Sequence, residues 1–323
     1  MAVLKRVFCV ILALSFAVGL SGISGCSDRE DNGSEEKLEI VTTIFPAYDF
    51  ARQIFGNTAE VTLLLKPGME SHSYDPTARD IVRIDKCDLF IYNGGESDAW
   101  VENILKSTDN VKTLRMMEAV EALYEEFLEG MEHDHDDHDS EEADEYDEHI
   151  WTSPKNAAKI VESIKSAAIE LAPENKTAYE NSADEYIAKI NALDKKFSEL
   201  LAGEEKYFVF GDRFPLLYFF KEYGLNYYAA FPGCGSETEP SARTIAFLGE
   251  QLESDDTVAG VFYIELSNHK LADTLAADKG LTAFEFHTCH NITADDFNSG
   301  ETYVSLMQRN FDMLERVLLE ARG

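Results

Sequence analysis

The chain has 323 residues, of which 45% are hydrophobic, and its 28 basic residues stand against 61 acidic ones. This length allows two domains whose cores need no disulfide staples, and the five cysteines are too few for a disulfide scaffold. The formal charge of −33 excludes nucleic acid as a natural partner, because phosphate binding requires patches of Lys and Arg.

The N-terminus has the pattern of an export signal. Lys5 and Arg6 precede an uncharged, mostly apolar stretch from Val7 to Leu20, which is too short for a comfortable membrane span. The letters ISGC at 23–26 are typical of a lipobox. We therefore predict a lipoprotein signal peptide at 1–26, acylation of Cys26 and a polar tether at 27–37. Loss of Lys5 and Arg6 changes the charge to −35.

Short apolar runs alternate with helical patterns in the first half of the chain. We predict helices after Pro46, after a cap at Asp75-Pro76 and after Asp98. The alternation predicts a parallel sheet covered on both faces. The predicted strands are Leu38–Phe45, Glu60–Leu65, Asp88–Asn93 and Val111–Leu114.

The second half repeats this plan after two linking helices. One linking helix begins at Ser153-Pro154, and the other runs from Glu174 to about Leu201 as a rigid strut. The predicted strands are Lys206–Phe210, Leu225–Phe231, Val258–Ile264 and Thr282–His287, and the helices Phe214–Tyr223, Pro240–Glu253, Asn268–Lys279 and Phe297–Ala321.

The predicted fold class is therefore α/β, with two (β/α)4-like lobes that each contain a parallel sheet and are joined by a long rigid backbone helix. The N-terminal lobe covers 38–150, the helical linker 151–203 and the C-terminal lobe 204–323.

An acidic, histidine-rich loop interrupts this plan at 132–148. Together with His149 it holds eleven carboxylates, four histidines and no basic residue, so it cannot bury enough apolar surface to order itself. Neutral imidazoles at His133, His135 and His138 predict weak, transient metal capture, and the alternative is a solvated spacer.

Histidines also follow predicted strands, where open α/β sheets bind ligands. His72 lies in a turn-rich loop, and His149 lies where the acidic loop meets Ile150 and Trp151, which we expect to be buried. Imidazole suits zinc and other late first-row metals, and a thiol adds softness. His287, Cys289 and His290 follow the last predicted strand.

Signatures of enzymes are missing from the sequence. It contains no G-x-S-x-G, P-loop, G-x-G-x-x-G or H-E-x-x-H motif. A catalytic zinc site needs an open coordination position and a general base, for which Glu70 and Glu265 are candidates. We interpret the chain as a binding protein and not an enzyme, with a secreted zinc-dependent hydrolase as the alternative and a host-surface adhesin as a third class.

The motifs resemble the zinc/manganese substrate-binding lipoproteins of ABC importers, the cluster A-I family. The resemblance runs from about Glu39 to the C-terminus and rests on IVTTIFPAYDFA (40–51), VTLLLKPGMESHSYDPT (61–77), DLFIYNG (88–94), DEHIWTSP (147–154) and ETEPS (237–241). It implies a metal in the cleft between the lobes, a lipid anchor on the outer face of the cell membrane, delivery to an ABC permease and a monomer. The histidine-rich loop is typical of the zinc-type members.

The resemblance also implies four ligand positions. His72 and His149 match the first two, and His287 occupies the fourth, which is usually acidic. The third position falls near Asp212 or Arg213. Three imidazoles favour Zn²⁺ over Mn²⁺, so a manganese-binding paralogue is a further alternative. His290, Cys289 and Glu265 are additional candidates.

Cys234 and Cys289 both lie in turn-like segments after strands of the second lobe. We expect them to be neighbours, either as a disulfide that rigidifies the loop of His287 or as thiols beside the metal.

Overall fold

A computed structural model describes residues 37–69, 74–108, 111–131, 145–233, 239–254 and 257–320. The predicted signal peptide, the acylation site Cys26 and residues 27–36 of the tether lie outside these ranges. So do six of the candidate site residues, namely Glu70, His72, His133, His135, His138 and Cys234.

The N-terminal lobe is built on a parallel sheet in the order β2-β1-β3-β4. Alternate residues of β1 enter different cores, since Ile40 packs into the main core and Val41 into a smaller cluster on the outer face. Burial on both faces explains the continuous apolar letters of these strands. The strands are β1 Leu38–Thr42, β2 Ala59–Leu63, β3 Leu89–Tyr92 and β4 Thr113–Arg115.

The C-terminal lobe repeats this topology with a parallel sheet in the order β6-β5-β7-β8. The eight strands predicted from the sequence are thus confirmed, but the first ends at Thr42 and not at Phe45, which begins the first helix. The register of β5 against β6 shifts between Phe210 and Arg213, which marks a bulge at Asp212. The strands are β5 Tyr207–Phe214, β6 Asn226–Pro232, β7 Val258–Ile264 and β8 Ala283–Phe286.

The helices cover the sheets and link the lobes. α5 has 26 residues and is about 39 Å long, as expected for the backbone helix. Within the described ranges, no helix combines the length and apolar character needed to cross a bilayer. The helices are α1 Phe45–Phe55, α2 Ala78–Lys86, α3 Ala99–Leu105, α4 Pro154–Leu171, α5 Lys176–Leu201, α6 Leu217–Tyr223, α7 Ala242–Ser254, α8 Lys270–Asp278, α9 Ala294–Ser299 and α10 Tyr303–Glu320, with 3₁₀ turns at Gly56–Thr58, Glu96–Asp98, Met116–Ala119, Ile150–Thr152 and Pro173–Asn175.

Several helix predictions need correction, whereas the start of α3 after Asp98 is confirmed. The helix predicted from Phe214 begins at Leu217, because Phe214 is the last residue of β5. Thr77, not Asp75, caps α2, because Thr77 and Asp80 form a capping box. Asp98 precedes α3 but does not cap it with its side chain; its carboxylate accepts from the backbone N–H groups of Asn93 and Gly94 instead. The predicted last helix is two helices, broken at Gly300, which takes a left-handed conformation.

One hydrophobic core runs through both lobes. Its fully buried members include Phe50 of α1, Ile164 of α4, Phe197 of α5 and Phe210 of β5. The residues from Lys37 onward accordingly form one compact unit. The exact lobe boundaries at 150 and 204 stay a prediction.

Candidate metal centre

Loops at the carboxyl ends of strands from both sheets enclose a cavity of about 50 Å³. In a parallel sheet these ends open onto one edge, where α/β proteins bind ligands. Residues that line the cavity include Met69 after β2, Arg213 of β5, Glu265 after β7, Thr288 and His290 after β8, and His149. The volume suits an ion with a water molecule and is far below the 300 Å³ or so of typical organic-ligand pockets.

A short antiparallel contact fixes the segment that leads to His149. Tyr124 and Tyr146 form an isolated antiparallel bridge, and their rings stack at 4.4 Å. The Asp147 N–H donates to the carbonyl of Leu123 at 2.9 Å. The hydroxyl of Tyr218 donates to the Asp147 carbonyl at 2.8 Å, so a helix of the second lobe also holds this segment.

The next residue, Glu148, anchors the same segment to the loop after β3. Its carboxylate accepts from the Ser97 N–H at 3.1 Å and from the Ser97 hydroxyl. A Cβ on Gly95 would lie 2.1 Å from Glu148 Oε2, so only glycine permits this approach. The strand-end loop therefore positions the chain at His149.

Asp147 fixes the tautomer of His149. The Nδ1 atom of His149 lies 3.0 Å from Asp147 Oδ1, and both side chains are 1% exposed. Nδ1–H donates to the carboxylate, which leaves the lone pair of Nε2 for a metal, as in carboxylate–histidine–zinc arrangements. Burial lowers the pKa of His149, but the neighbouring Asp147 carboxylate outweighs it and the net pKa is raised. His149 is thus prepared as a ligand.

Glu265 shapes the loop after β8. Its carboxylate accepts from the Thr288 N–H at 2.7 Å, the Thr288 hydroxyl at 2.6 Å and the His290 N–H at 3.2 Å. Cys289, between them, has a φ of 62°, a left-handed conformation that is strained for a residue with a Cβ. The hydrogen bonds that this buried carboxylate accepts hold the strained turn.

His290 enters the cavity from this turn. Its ring meets that of His149 at a centroid distance of 5.2 Å and that of Trp151 at 5.0 Å, both edge to face. Trp151 is fully buried, as expected from the sequence, and its Nε1–H donates to the Thr288 carbonyl at 2.9 Å. Two imidazoles from different lobes therefore face one another across the cavity.

His287 differs from His290 in its chemistry. Its Nδ1 accepts the Cys289 N–H at 2.9 Å, which uses the single lone-pair nitrogen of a neutral imidazole. The proton then resides on Nε2, which is buried and lacks a hydrogen-bond partner among the described residues. A protonated nitrogen cannot coordinate a metal. His287 does not line the cavity in this arrangement, although the sequence placed it in the ligand set.

The loop after β2, which leads to His72, is hydrogen-bonded to the loop after β8, which carries His290. The side-chain amide of Asn291 donates to the carbonyls of Lys66 and Met69, and the Gly68 N–H donates to the carbonyl of Ile292 at 2.9 Å. Met69 is the last described residue before the segment that carries His72. The chain around that segment thus borders the cavity that His149 and His290 face.

Asp212 and Arg213 have different environments. Asp212 Oδ2 accepts from the Ile264 N–H at 3.3 Å and Oδ1 from the Arg213 N–H at 2.8 Å, so this carboxylate stabilises the β5 bulge. Burial raises the pKa of Asp212, and a hydrogen bond from Ser267 counteracts this. Of the two, Arg213 and not Asp212 lines the cavity.

Within the described ranges, no three His, Cys, Asp or Glu side chains form a group that could hold a metal. The remaining donors therefore have to come from elsewhere, and His72 lies outside the described residues. Cys289 is a buried free thiol whose pKa burial raises well above its usual range. The disulfide alternative is therefore not formed in the structure. Cys234 is not among the described residues, so its expected position beside Cys289 stays a prediction.

Sequence reasoning missed two supporting residues. Asp147 orients His149, and Thr288 joins Glu265 to the loop of His290. For Asp147 a signal existed, since a carboxylate two residues before a candidate histidine is a common orienting partner. For Thr288 no signal existed, because its role depends on contact with a strand 23 residues away.

Comparison with known proteins decides the family. The ZnuA family, described as zinc-uptake complex component A, periplasmic, matches residues 40–317. The chain belongs to this family. The high-affinity zinc uptake system protein ZnuA of Bacillus subtilis is 32% identical over 301 residues, which cover 92% of this chain and 94% of that protein.

The zinc-binding lipoprotein AdcA of Streptococcus pneumoniae is 32% identical over 292 residues, which are 90% of this chain. The chain spans only 57% of the length of that relative. The crystal structure of its Zn(II)-bound ZnuA-like domain superposes with a TM-score of 0.72 at 31% identity and covers 88% of this chain and 99% of that one. The two-lobed fold predicted from the sequence is thereby confirmed.

Proposed function

We propose that this chain is a high-affinity, extracytoplasmic zinc-binding protein that delivers its metal to an ABC-type importer. One observation carries the proposal. His149, oriented by Asp147, and His290, held by the Glu265-bound turn, face one another at 5.2 Å in a cavity closed by both lobes. Membership of the ZnuA family and the zinc-binding and zinc-uptake roles of the relatives AdcA and ZnuA support zinc as the cargo.

The donor set that we propose is His149 through Nε2, His290 and His72, completed by a carboxylate or water. We place His290 and not His287 at the fourth ligand position, because Nδ1 of His287 already accepts the Cys289 N–H. Imidazole donors suit Zn²⁺, whereas Mn²⁺ prefers more oxygen ligands. Arg213 at the cavity wall adds no metal-binding donor and opposes a further cation by its charge.

The hydrolase alternative is less well supported. The cavity between the described residues, about 50 Å³, is small for an organic substrate beside a metal and its activated water. Glu265, one candidate for the base, already accepts three hydrogen bonds from the loop after β8. Binding and release of an ion fits this geometry better than turnover.

The test is the metal content of protein purified without chelator, followed by zinc titration of the metal-free protein. His149→Ala and His290→Ala should each lose the high-affinity equivalent, while His287→Ala should retain most of it. His269→Ala is the matched control, because His269 also contacts a carboxylate, Asp273, but is 46% exposed and does not line the cavity. Full zinc content in His149→Ala would refute the site.

Membrane attachment and the importer partner form the second part of the proposal. The lipobox supports acylation of Cys26 and retention on the outer face of the cell membrane. Cys26→Ala should release the protein into the medium without changing zinc affinity. Deletion of the gene should impair growth in zinc-poor medium, and added zinc should restore it. Normal growth under zinc limitation would argue against delivery to an importer.

A further inference from the structure

A basic face stands out on this acidic chain. Arg79, Val82, Arg83 and Lys86 occupy positions i, i+3, i+4 and i+7 of α2 and therefore share one face of the helix. Val82 is 53% exposed, which is unusual for an apolar residue between three cations. We call these four residues the α2 basic face. Clustered cations are unexpected where acidic residues outnumber basic ones by more than two to one.

The α2 basic face forms one wall of a cavity of about 330 Å³. The other lining residues are Glu39 of β1 and Cys87. Two further carboxylates lie nearby but are engaged: Asp88 accepts the Glu39 N–H at 2.8 Å, and Asp80 accepts from Thr77 at the start of α2. The ion pairs formed within the described part of the chain leave out Arg79, Arg83 and Lys86. Arg83 also attracts the Asp80 carboxylate, so Arg79 and Lys86 are the cations of this face with no carboxylate interaction among the described residues.

This cavity lies at the edge of the sheet opposite the candidate metal centre. Glu39 is the second residue of β1, and Cys87 lies two residues before β3, so both lie at the amino ends of parallel strands. The metal centre lies beyond the carboxyl ends. The tether also joins the lobe here, because Lys37 is two residues before Glu39. The ten residues from 27 to 36 can span at most about 35 Å.

We propose that the α2 basic face binds the anionic phospholipid headgroups of the membrane to which the chain is tethered. This inference rests on the proposed lipid anchor at Cys26. The three cations would contact lipid phosphates, and Val82 would enter the headgroup region. Such contact orients the tethered protein with its metal cleft directed away from the bilayer, towards the source of zinc.

The charge of the whole molecule does not prevent this contact. At 0.15 M salt the Debye length is about 8 Å, so carboxylates on the far side of the lobe are screened from the membrane. Each Lys or Arg close to an anionic surface strengthens binding by about fivefold, which gives on the order of 100-fold for three. The nearby Asp80 and Asp88 accept hydrogen bonds from Thr77 and Glu39, so the three cations are the charges that share the exposed face of α2.

The importer is a less suitable partner for this face. A permease that receives zinc has to reach the carboxyl edge, where His149 and His290 lie, and α2 ends at the opposite edge. The face thus suits the waiting state of the tethered protein, between deliveries.

The experiment uses the chain from residue 26 onward with Cys26→Ala, so that no acyl chain contributes. Its sedimentation with phosphatidylcholine vesicles is compared with that on vesicles containing phosphatidylglycerol. We expect binding to the anionic vesicles alone, and a loss on the order of 100-fold in the triple variant Arg79→Ala, Arg83→Ala, Lys86→Ala. The matched control, Lys159→Ala, Lys189→Ala, Lys195→Ala, removes the same charge from exposed sites and should bind as the parent does.

The outcomes separate the alternatives. Equal binding by the two triple variants, or equal binding to neutral vesicles, overturns the proposal. If millimolar inorganic phosphate abolishes vesicle binding and stabilises the parent but not the α2 variant, the cavity is a site for soluble anions and the membrane proposal is wrong. Zinc titration of the α2 variant should match the parent; a lost zinc site there would indicate general damage.

Orientation is tested on the acylated protein in anionic vesicles. A photo-crosslinking residue introduced at Val82 should label lipid, whereas one at Leu266, which is 47% exposed at the metal cavity, should not. Labelling from Leu266 alone would reverse the proposed orientation. This result is independent of zinc affinity, so failure of the orientation does not imply failure of the zinc site.

Discussion

Substitution of Asp147 by Asn tests how the buried carboxylate prepares His149 for zinc. The Nδ1–Oδ1 distance is 3.0 Å, and both side chains are 1% exposed. Asn retains an oxygen that can accept both the Nδ1–H and the His149 N–H, which lies 2.7 Å from the same Oδ1 atom. The substitution therefore removes the negative charge and leaves the orientation of the ring.

The expected loss follows from the strength of this hydrogen bond. A hydrogen bond to a charged group contributes about 1.5–3 kcal/mol, and a neutral one about 0.5–1.5 kcal/mol. The difference of about 1–1.5 kcal/mol corresponds to a five- to fifteenfold weaker zinc affinity. That lies near the lower end of the roughly 10–100-fold range for partners of metal-bound histidines. Asp147→Ala, which also removes the acceptor, should lose more.

The assay is competitive zinc titration of metal-free protein, with thermal unfolding in parallel. Asp273→Asn is the matched control, because it removes the same charge from a His–Asp pair at 2.8 Å that is exposed and does not line the cavity. It should leave zinc affinity unchanged. Unchanged affinity in Asp147→Asn would refute the orienting role, as would a loss fully explained by a lower melting temperature.

Three further predictions concern the scaffold. Gly211→Ala should destabilise the protein by about 2–4 kcal/mol in urea unfolding, because its Cβ would lie 2.6 Å from the Ala272 backbone. Gly249→Ala, in open space on α7, should instead stabilise the protein by about 0.5–1 kcal/mol. A similar effect of both substitutions would contradict the steric argument. Burial raises the pKa of Asp98 to about 6 from 3.8. The contribution of Asp98 to stability is therefore full below pH 4 and is lost as pH rises through 6, a change on the order of 3 kcal/mol. Asp98→Asn should abolish this pH dependence in metal-free protein, and parallel curves of stability against pH for the two proteins would contradict the prediction. Deletion of 132–144 should remove the weakly bound zinc equivalents in calorimetry. The high-affinity zinc site should remain, because the Tyr124–Tyr146 bridge holds the segment that carries His149. An unchanged zinc stoichiometry would contradict metal capture by this loop.

The strands were predictable because burial on both faces leaves a direct record in the sequence. Val258–Ile264 was predicted with the bounds that the structure has, since seven apolar or small residues lie between polar ones. Helix starts were less predictable. The sequence before α2 offers two acceptable N-caps, Asp75 followed by Pro76, and Thr77. Thr77 is the N-cap in the structure because the side chain of Asp80 completes a capping box with it.

The bulge in β5 shows a limit of a different kind. From the sequence, Asp212 was the natural ligand candidate, because carboxylates bind metals and guanidinium groups do not. In the structure the Asp212 carboxylate accepts a hydrogen bond from the backbone N–H of Ile264, at the point where the register of β5 against β6 shifts. Arg213, the next residue, lines the cavity. A one-residue shift of a strand exchanges the faces of its side chains, and periodicity does not reveal where such a shift occurs.

The choice between His287 and His290 depends on a single backbone conformation. Both follow β8, both are imidazoles, and three positions separate them, so their order in the chain favours neither. The left-handed φ of Cys289 turns the backbone between them and brings its N–H to Nδ1 of His287. That hydrogen bond occupies the lone pair of one histidine, and the same turn carries the other into the cavity. Glu265 holds the turn through hydrogen bonds from Thr288 and His290, so this carboxylate determines which of the two imidazoles reaches the cavity.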